Sequence, residues 1–155
     1  MFTDPHHPEA DRPRVVKVLK FGGTSVVSAE ALGRLVSIVR GEVVTADPML
    51  VVSALSGVTD WLHALESETS PKRRQVWLRK IVRRHQQLSA EILDHDRHSE
   101  YLNRLSTCID DLMAIVRRPV SEGRSHAIWA SGEWMSAPLV ALLLEQEGVP
   151  SEWVE

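Results

Sequence analysis

The residues best suited to chemistry in this chain are at positions 20–25, which read KFGGTS and follow an apolar stretch. A strand that delivers a lysine and then turns through two glycines places an ammonium, backbone N–H groups and hydroxyls together. The glycines let an anion approach the backbone, and the lysine is a point charge that can follow a phosphoryl group. This phosphate turn therefore predicts a phosphate site, although an ordinary strand-to-helix turn would also explain a Gly-Gly pair.

A second polar stretch, SALSGVTD at 53–60, follows the apolar run at 49–52. The order strand, small hydroxyl residues, helical pattern thus occurs twice. Right-handed crossovers between parallel strands bring the carboxyl ends of the strands to one edge of a sheet. We therefore expect both polar turns to lie on the same rim.

A third stretch, ASGEWMSA at 130–137, leads into the apolar run 139–144. A glutamate where a helix enters the core is costly to bury unless a cation pairs with its carboxylate. The amine of a ligand could form this ion pair with Glu133. A position near a helix N-terminus, where the dipole favours a carboxylate, explains Glu133 equally well.

The apolar periodicity predicts an α/β fold. Strands are expected at 15–20, 49–52 and 149–154, with apolar residues on both parities, which is typical of a mainly parallel sheet with helices on both faces. Helices are predicted from Ser28, from near Val58 and from Pro71. The last of these and a helix at 99–116 would form a helical hairpin.

Size and composition predict one domain over 15–155, because the chain has 155 residues of which 43% are hydrophobic. Residues 1–14 contain three prolines without apolar periodicity and are expected to form a flexible tail. His6 and His7 could bind a metal with Asp4, but ordering them is costly, so no metal site is predicted there.

The formal net charge of −3 excludes the global positive field that nucleic acid or an anionic membrane would need, so neither is an expected partner. The locally basic stretch 72–84 is read as a solvated helix face. We find neither an apolar secretion signal nor a membrane-length apolar run, and Cys108 is a single cysteine. These features predict a cytoplasmic protein.

Together, the segments VLKFGGTSV at 18–26, VVSA through GVT at 51–59 and SGEWMS at 131–136 strongly resemble the N-terminal part of aspartate kinase, in order and in spacing. The first segment is the most specific, because its lysine precedes the glycines, whereas the lysine of a Walker A loop follows them. The resemblance runs from about Val15 to the C-terminus and includes the kinase portion of bifunctional aspartate kinase–homoserine dehydrogenases. It implies the amino-acid kinase fold, with only the N-terminal part present.

The resemblance implies transfer of the γ-phosphoryl group of ATP to the side-chain carboxylate of L-aspartate, in the biosynthesis of lysine, threonine and methionine. Lys20 would be the catalytic residue that stabilises charge on the transferring group. The amides of Gly22 and Gly23 would cradle phosphate oxygens, and Thr24 and Ser25 would support the turn. Mg²⁺ would be held mainly through the phosphates of ATP.

The resemblance also implies an aspartate site. In that site Ser53 and Thr59 would contact the substrate, and Glu133 would pair with its α-ammonium group. This agrees with the reading of Glu133 as a carboxylate that awaits an amine. No covalent nucleophile is expected, because phosphoryl transfer depends mainly on positioning and electrostatics.

The sequence departs from this family in lacking a later glycine-rich segment, whose arginine and aspartate complete the site. We therefore expect the isolated chain to be an inactive fragment that forms a homo-oligomer or associates with a completing segment. One alternative is another amino-acid kinase, acting on glutamate, a carbamate or a nucleotide. A second alternative is a non-catalytic truncated module for binding or assembly.

Overall fold

The computed structural model of this protein describes residues 15–154. The tail predicted at 1–14, with His6 and His7, lies outside the described residues. Two strands and five helices follow one another, with a short 3₁₀ turn (Gly23–Val26) after the first strand. In chain order they are β1 (Val15–Phe21), α1 (Ala29–Glu42), β2 (Ala46–Val52), α2 (Val58–Ser67), α3 (Pro71–Ile92), α4 (His95–Val116) and α5 (Glu122–Gln146).

The two strands form the predicted parallel pair, in register from Val15 opposite Ala46 to Phe21 opposite Val52. Helix α1 makes the crossover between them. Its N-cap is Ser28, as predicted, and the Ser28 side chain accepts a hydrogen bond from the backbone N–H of Ala31. Because the strands are parallel, the turns that follow β1 and β2 emerge at the same edge.

Within residues 15–154 one face of this sheet is left uncovered, whereas the sequence predicted strands covered on both faces. Side chains alternate along a strand, so Val16, Val18, Met49 and Val51 share a face, and they are 64%, 62%, 58% and 45% exposed. The opposite face packs on the core through residues such as Phe21. Because the open face is also apolar, the sequence of each strand predicts burial on both faces.

Helices α3 and α4 form the predicted hairpin, and α4 begins earlier than expected. Asp94 is its N-cap and accepts a hydrogen bond from the backbone N–H of Arg97, so the helix starts at His95 and not at 99. The hairpin packs on α5, where the buried Tyr101 hydroxyl donates to the backbone oxygen of Met135 at 3.0 Å.

Helix α5 is the central core helix, and its run Leu139–Leu144 is buried. It is long and apolar enough to cross a membrane by length and composition, which corrects the reading that no such run exists. However, 67% of its most apolar window is buried inside the protein, as in the core helix of a globular domain. The helix continues through Pro138.

The third strand predicted at 149–154 does not form in the described part of the chain. These residues follow Gly148, whose φ of +79° ends α5, and they run without strand pairing. Trp153 is fixed by the Arg104 guanidinium, which lies 3.9 Å from its ring centre. A groove of about 830 Å³ separates this segment from β2 and does not include the phosphate turn.

Candidate functional site

The three motifs meet at two consecutive residues, Ser53 and Ala54. The Ser53 N–H donates to the backbone oxygen of Phe21 at 3.0 Å, which ties the end of β2 to the phosphate turn. The backbone oxygen of Ser53 accepts a hydrogen bond from the Ser136 hydroxyl at 2.9 Å. The Ala54 N–H donates to Glu133 Oε1 at 3.3 Å. Backbone groups of this one segment therefore hold the phosphate turn and α5 together.

The phosphate turn has ordinary backbone geometry. Gly22 has φ −75° and ψ 175°, and the Ser25 N–H donates to the Gly22 oxygen at 2.8 Å. A Cβ on Gly22 would meet nothing within 4 Å, and one on Gly23 would lie 3.9 Å from the oxygen of Ala54. The protein's own fold thus leaves open space beside Gly22, where an anion could approach the backbone.

Lys20 lies one residue before the end of β1, and its side chain is exposed at the rim. Among the carboxylates of residues 15–154, none forms an ion pair with it. Lys17, on the other face of the same strand, pairs with Glu42 at 2.6 Å. The Lys20 ammonium is therefore the strand's cation that remains available for an anion. Thr24, in the 3₁₀ turn that follows, is also exposed.

Glu133 lies in the middle of α5, which starts at Glu122. The reading of Glu133 as a helix N-terminal residue that favours the dipole is therefore wrong. Its side chain is half-buried, and within the described residues 15–154 no Lys, Arg or His forms an ion pair with it. One carboxylate oxygen is engaged by Ala54, so the other can accept from an incoming cation.

Thr59 is the second residue of α2, and its side chain is exposed. The helix is preceded by Gly57, whose φ of +84° is readily adopted only by glycine. Its first residue, Val58, approaches α5 at Gly132. The N-terminus of α2 therefore lies beside the segment that holds Glu133.

Gly132 was not predicted as a site residue, yet it permits a close approach between α5 and Ala54. A Cβ at this position would lie 2.6 Å from the Ala54 Cβ and 3.3 Å from Leu62 Cδ1. Ser136 was also given no role. It is buried, and its hydroxyl donates a hydrogen bond to the backbone oxygen of Ser53. The only sequence signal was the spacing: positions 132, 133 and 136 share one side of a helix.

No group of three or more His, Cys, Asp or Glu side chains suited to a metal ion occurs in residues 15–154. The polar groups at the rim are instead an ammonium, backbone amides, hydroxyls and one carboxylate. An ammonium and amides suit phosphate oxygens, and a carboxylate suits an amine.

Comparison with known proteins identifies the family. The amino acid kinase family model matches residues 16–155. The chain belongs to the amino acid kinase family. The chloroplastic bifunctional aspartokinase/homoserine dehydrogenase 1 of Arabidopsis thaliana is 28% identical over 145 residues, covering 89% of this chain and 16% of that protein. The aspartokinase of Chlamydia trachomatis is 41% identical over 76 residues, covering 48% of this chain and 16% of that protein.

A solved structure of the same family confirms the fold. Escherichia coli aspartokinase III in complex with aspartate and ADP matches with a TM-score of 0.78 and 23% identity. The match covers 91% of this chain and 31% of that one. The chain therefore has part of the amino acid kinase fold, and it spans less than a third of the length of these relatives.

Proposed function

We propose that this chain is the N-terminal part of an aspartate kinase catalytic domain, which transfers the γ-phosphoryl group of ATP to the side-chain carboxylate of L-aspartate. The observation that carries the proposal is the Ser53-Ala54 segment. It joins a turn suited to phosphate to a carboxylate suited to an amine. The relatives named aspartokinase and the neighbour bound to aspartate and ADP support the same substrates.

On the nucleotide side, the Lys20 ammonium would stabilise the charge that develops on the transferring phosphoryl group. The backbone amides at Gly22 and Gly23 would hold phosphate oxygens, and the open space beside Gly22 leaves room for them. Thr24 and Ser25 would support the turn. Mg²⁺ would neutralise phosphate charge when it is bound with ATP, and its ligands would be mainly the phosphates.

On the acceptor side, the free oxygen of Glu133 would pair with the α-ammonium of aspartate. The Ser53 hydroxyl and Thr59 would contact the substrate at the N-terminus of α2, where backbone N–H groups and the dipole favour a carboxylate. These groups bind and orient the acceptor. They therefore reduce the entropic cost of bringing the two substrates together, which is much of what phosphoryl transfer requires.

A coupled assay of ADP release tests the proposal directly. We expect little turnover from the chain alone, and turnover with L-aspartate when it is mixed with the C-terminal remainder of E. coli aspartokinase III. Replacing aspartate by glutamate is the matched control, and it should reduce the rate strongly. Absence of ADP release from the mixture, or equal rates with both amino acids, would overturn the proposal.

The open sheet face favours a second candidate, a non-catalytic assembly module. Exposed apolar patches mark association surfaces, and the face formed by Val16, Val18, Met49 and Val51 is such a patch. Light scattering combined with aspartate titration separates the two candidates. If the chain self-associates but does not bind aspartate, either alone or mixed with the C-terminal remainder of aspartokinase III, the assembly module is favoured.

A further inference from the structure

We propose that Gly132 and Ser136 are positioning residues that set the distance between Glu133 and the phosphate turn. The inference rests on the proposed function. In that function the amine of aspartate binds Glu133 while its side-chain carboxylate accepts the phosphoryl group at the phosphate turn, so the distance between the two must fit one substrate. It assigns to α5 a second role besides carrying Glu133. That role is to hold the Ser53-Ala54 segment in place.

Gly132 lies against the Ser53-Ala54 segment with no room for a side chain. Ordinary carbon–carbon contacts are about 3.5–4.0 Å, so a methyl group placed 2.6 Å from the Ala54 Cβ would push the segment away by about 1 Å. The Glu133–Ala54 hydrogen bond is already 3.3 Å long. A displacement of that size would break it. Gly132 therefore permits the approach on which the orientation of Glu133 depends.

The hydroxyl of Ser136 contacts the same segment. It is fully buried and has two acceptors within reach, the Ser53 oxygen at 2.9 Å and the Glu133 backbone oxygen of its own helix at 3.2 Å. A hydroxyl has one proton to donate, and the shorter contact is the one that leaves the helix. Ser136 thus fixes the carbonyl of Ser53 directly.

The Ser53-Ala54 segment is also connected to the phosphate turn. The same Ser53 residue donates its N–H to the Phe21 oxygen, and the Ala54 oxygen lies beside Gly23. A shift of Ser53 and Ala54 away from α5 would therefore also move the phosphate turn relative to Glu133. Loss of the Ser136 hydroxyl should weaken amine binding although Ser136 itself is fully buried.

The test compares Ser136→Ala with Ser131→Ala. Ser131 is the matched control, because it is also buried in α5 but donates its hydroxyl to Ala127 of the same helix. The first readout is the chemical shift of the Ala54 amide proton, measured by NMR on the full chain at neutral pH. In the unmodified chain and in Ser131→Ala the hydrogen bond to the Glu133 carboxylate should hold this proton downfield, and Glu133→Ala should remove the downfield shift.

In Ser136→Ala we expect the downfield shift of the Ala54 amide proton to be lost, amide exchange of Ala54 to accelerate about tenfold, and L-aspartate binding to weaken about tenfold. Amides of the α3–α4 hairpin should keep their exchange rates, which separates positioning from general destabilisation. A Ser136→Ala chain that matches Ser131→Ala in all three readouts would overturn the inference. If the unmodified chain ignores aspartate, the proposed function fails, and the two Ala54 readouts still decide the positioning role.

Discussion

The backbone N–H of Ala54 donates a hydrogen bond to the Glu133 carboxylate, across 79 positions of sequence. The bond fixes one carboxylate oxygen and leaves the other for a cation. It also makes the amide of Ala54 a spectroscopic reporter for the state of Glu133. The consequences for nucleotide binding, packing, pH and substrate can each be measured.

Replacing Gly22 by alanine should separate ligand binding from folding. The φ of −75° and the open surroundings accept a Cβ, so we expect the free energy of unfolding to stay constant or rise by less than about 1 kcal/mol. Binding of ATP should weaken, because the methyl group occupies the space for a phosphate oxygen. Gly33→Ala in α1, which also meets nothing within 4 Å, is the control and should leave ATP affinity unchanged. Equal ATP affinity in both variants, measured by calorimetry, would contradict the phosphate site.

Replacing Gly132 by alanine should destabilise the fold by about 1–3 kcal/mol, because the added methyl group overpacks the contact with Ala54 and Leu62. Urea denaturation followed by circular dichroism measures the change. Gly123→Ala in the first turn of the same helix meets nothing within 4 Å and should be neutral or stabilising. Equal stabilities for the two variants would show that α5 does not approach the segment as closely as described.

Acid should destabilise the protein through His85. This histidine is buried, its Nδ1 lies 2.8 Å from the Ile81 oxygen, and burial lowers its pKa from 6.5 to about 4, with the nearby Arg84 charge acting in the same direction. In the unfolded chain His85 therefore takes up a proton near pH 6.5, whereas in the folded chain it stays neutral until the pH approaches 4. The stability present above pH 6.5 is lost as the pH falls to about 4, by about 3 kcal/mol in total.

Urea denaturation between pH 7 and 4 measures that loss. His85→Leu should flatten the profile in this window, since leucine has no proton to take up. It should cost little at pH 7, because His85 Nε2 has no hydrogen-bond partner among the described residues. His95→Gln, at an exposed position of α4, should keep the original profile. A profile that is unchanged in His85→Leu would remove His85 as the cause.

Much of the fold could be predicted because its signals are local. The Ser28 cap, Pro71 at the start of α3 and the Gly-Gly turn after β1 each act within a few residues. The common rim of the two turns followed from the handedness of parallel crossovers. The start of α5 could not be predicted, because its N-terminal half lacks the apolar stripe that marks the other helices, and a position of Glu133 near a helix N-terminus therefore stayed open as one of two explanations.

The site itself could be predicted only in its chemical groups. Lys20, Gly22 and Glu133 stand out by residue type, but their connection runs through backbone atoms of Ser53 and Ala54, which any sequence offers. The need for glycine at 132 arises from a contact between distant segments. Coverage of the sheet likewise depends on elements outside a strand's own sequence. Apolar residues on both parities predicted two covered faces where the described residues cover one.

An NMR titration of the isotope-labelled chain with L-aspartate, in parallel with Glu133→Gln, tests whether the Glu133 carboxylate binds the amine of aspartate. Glutamine can still accept the hydrogen bond of Ala54 but cannot pair as an anion with an ammonium group. We predict saturable shifts at Ser53, Ala54 and Thr59 in the unmodified chain, and about ten- to hundredfold weaker binding in the variant. Equal binding by both chains, or no shift at these residues in either, would contradict an aspartate site at Glu133.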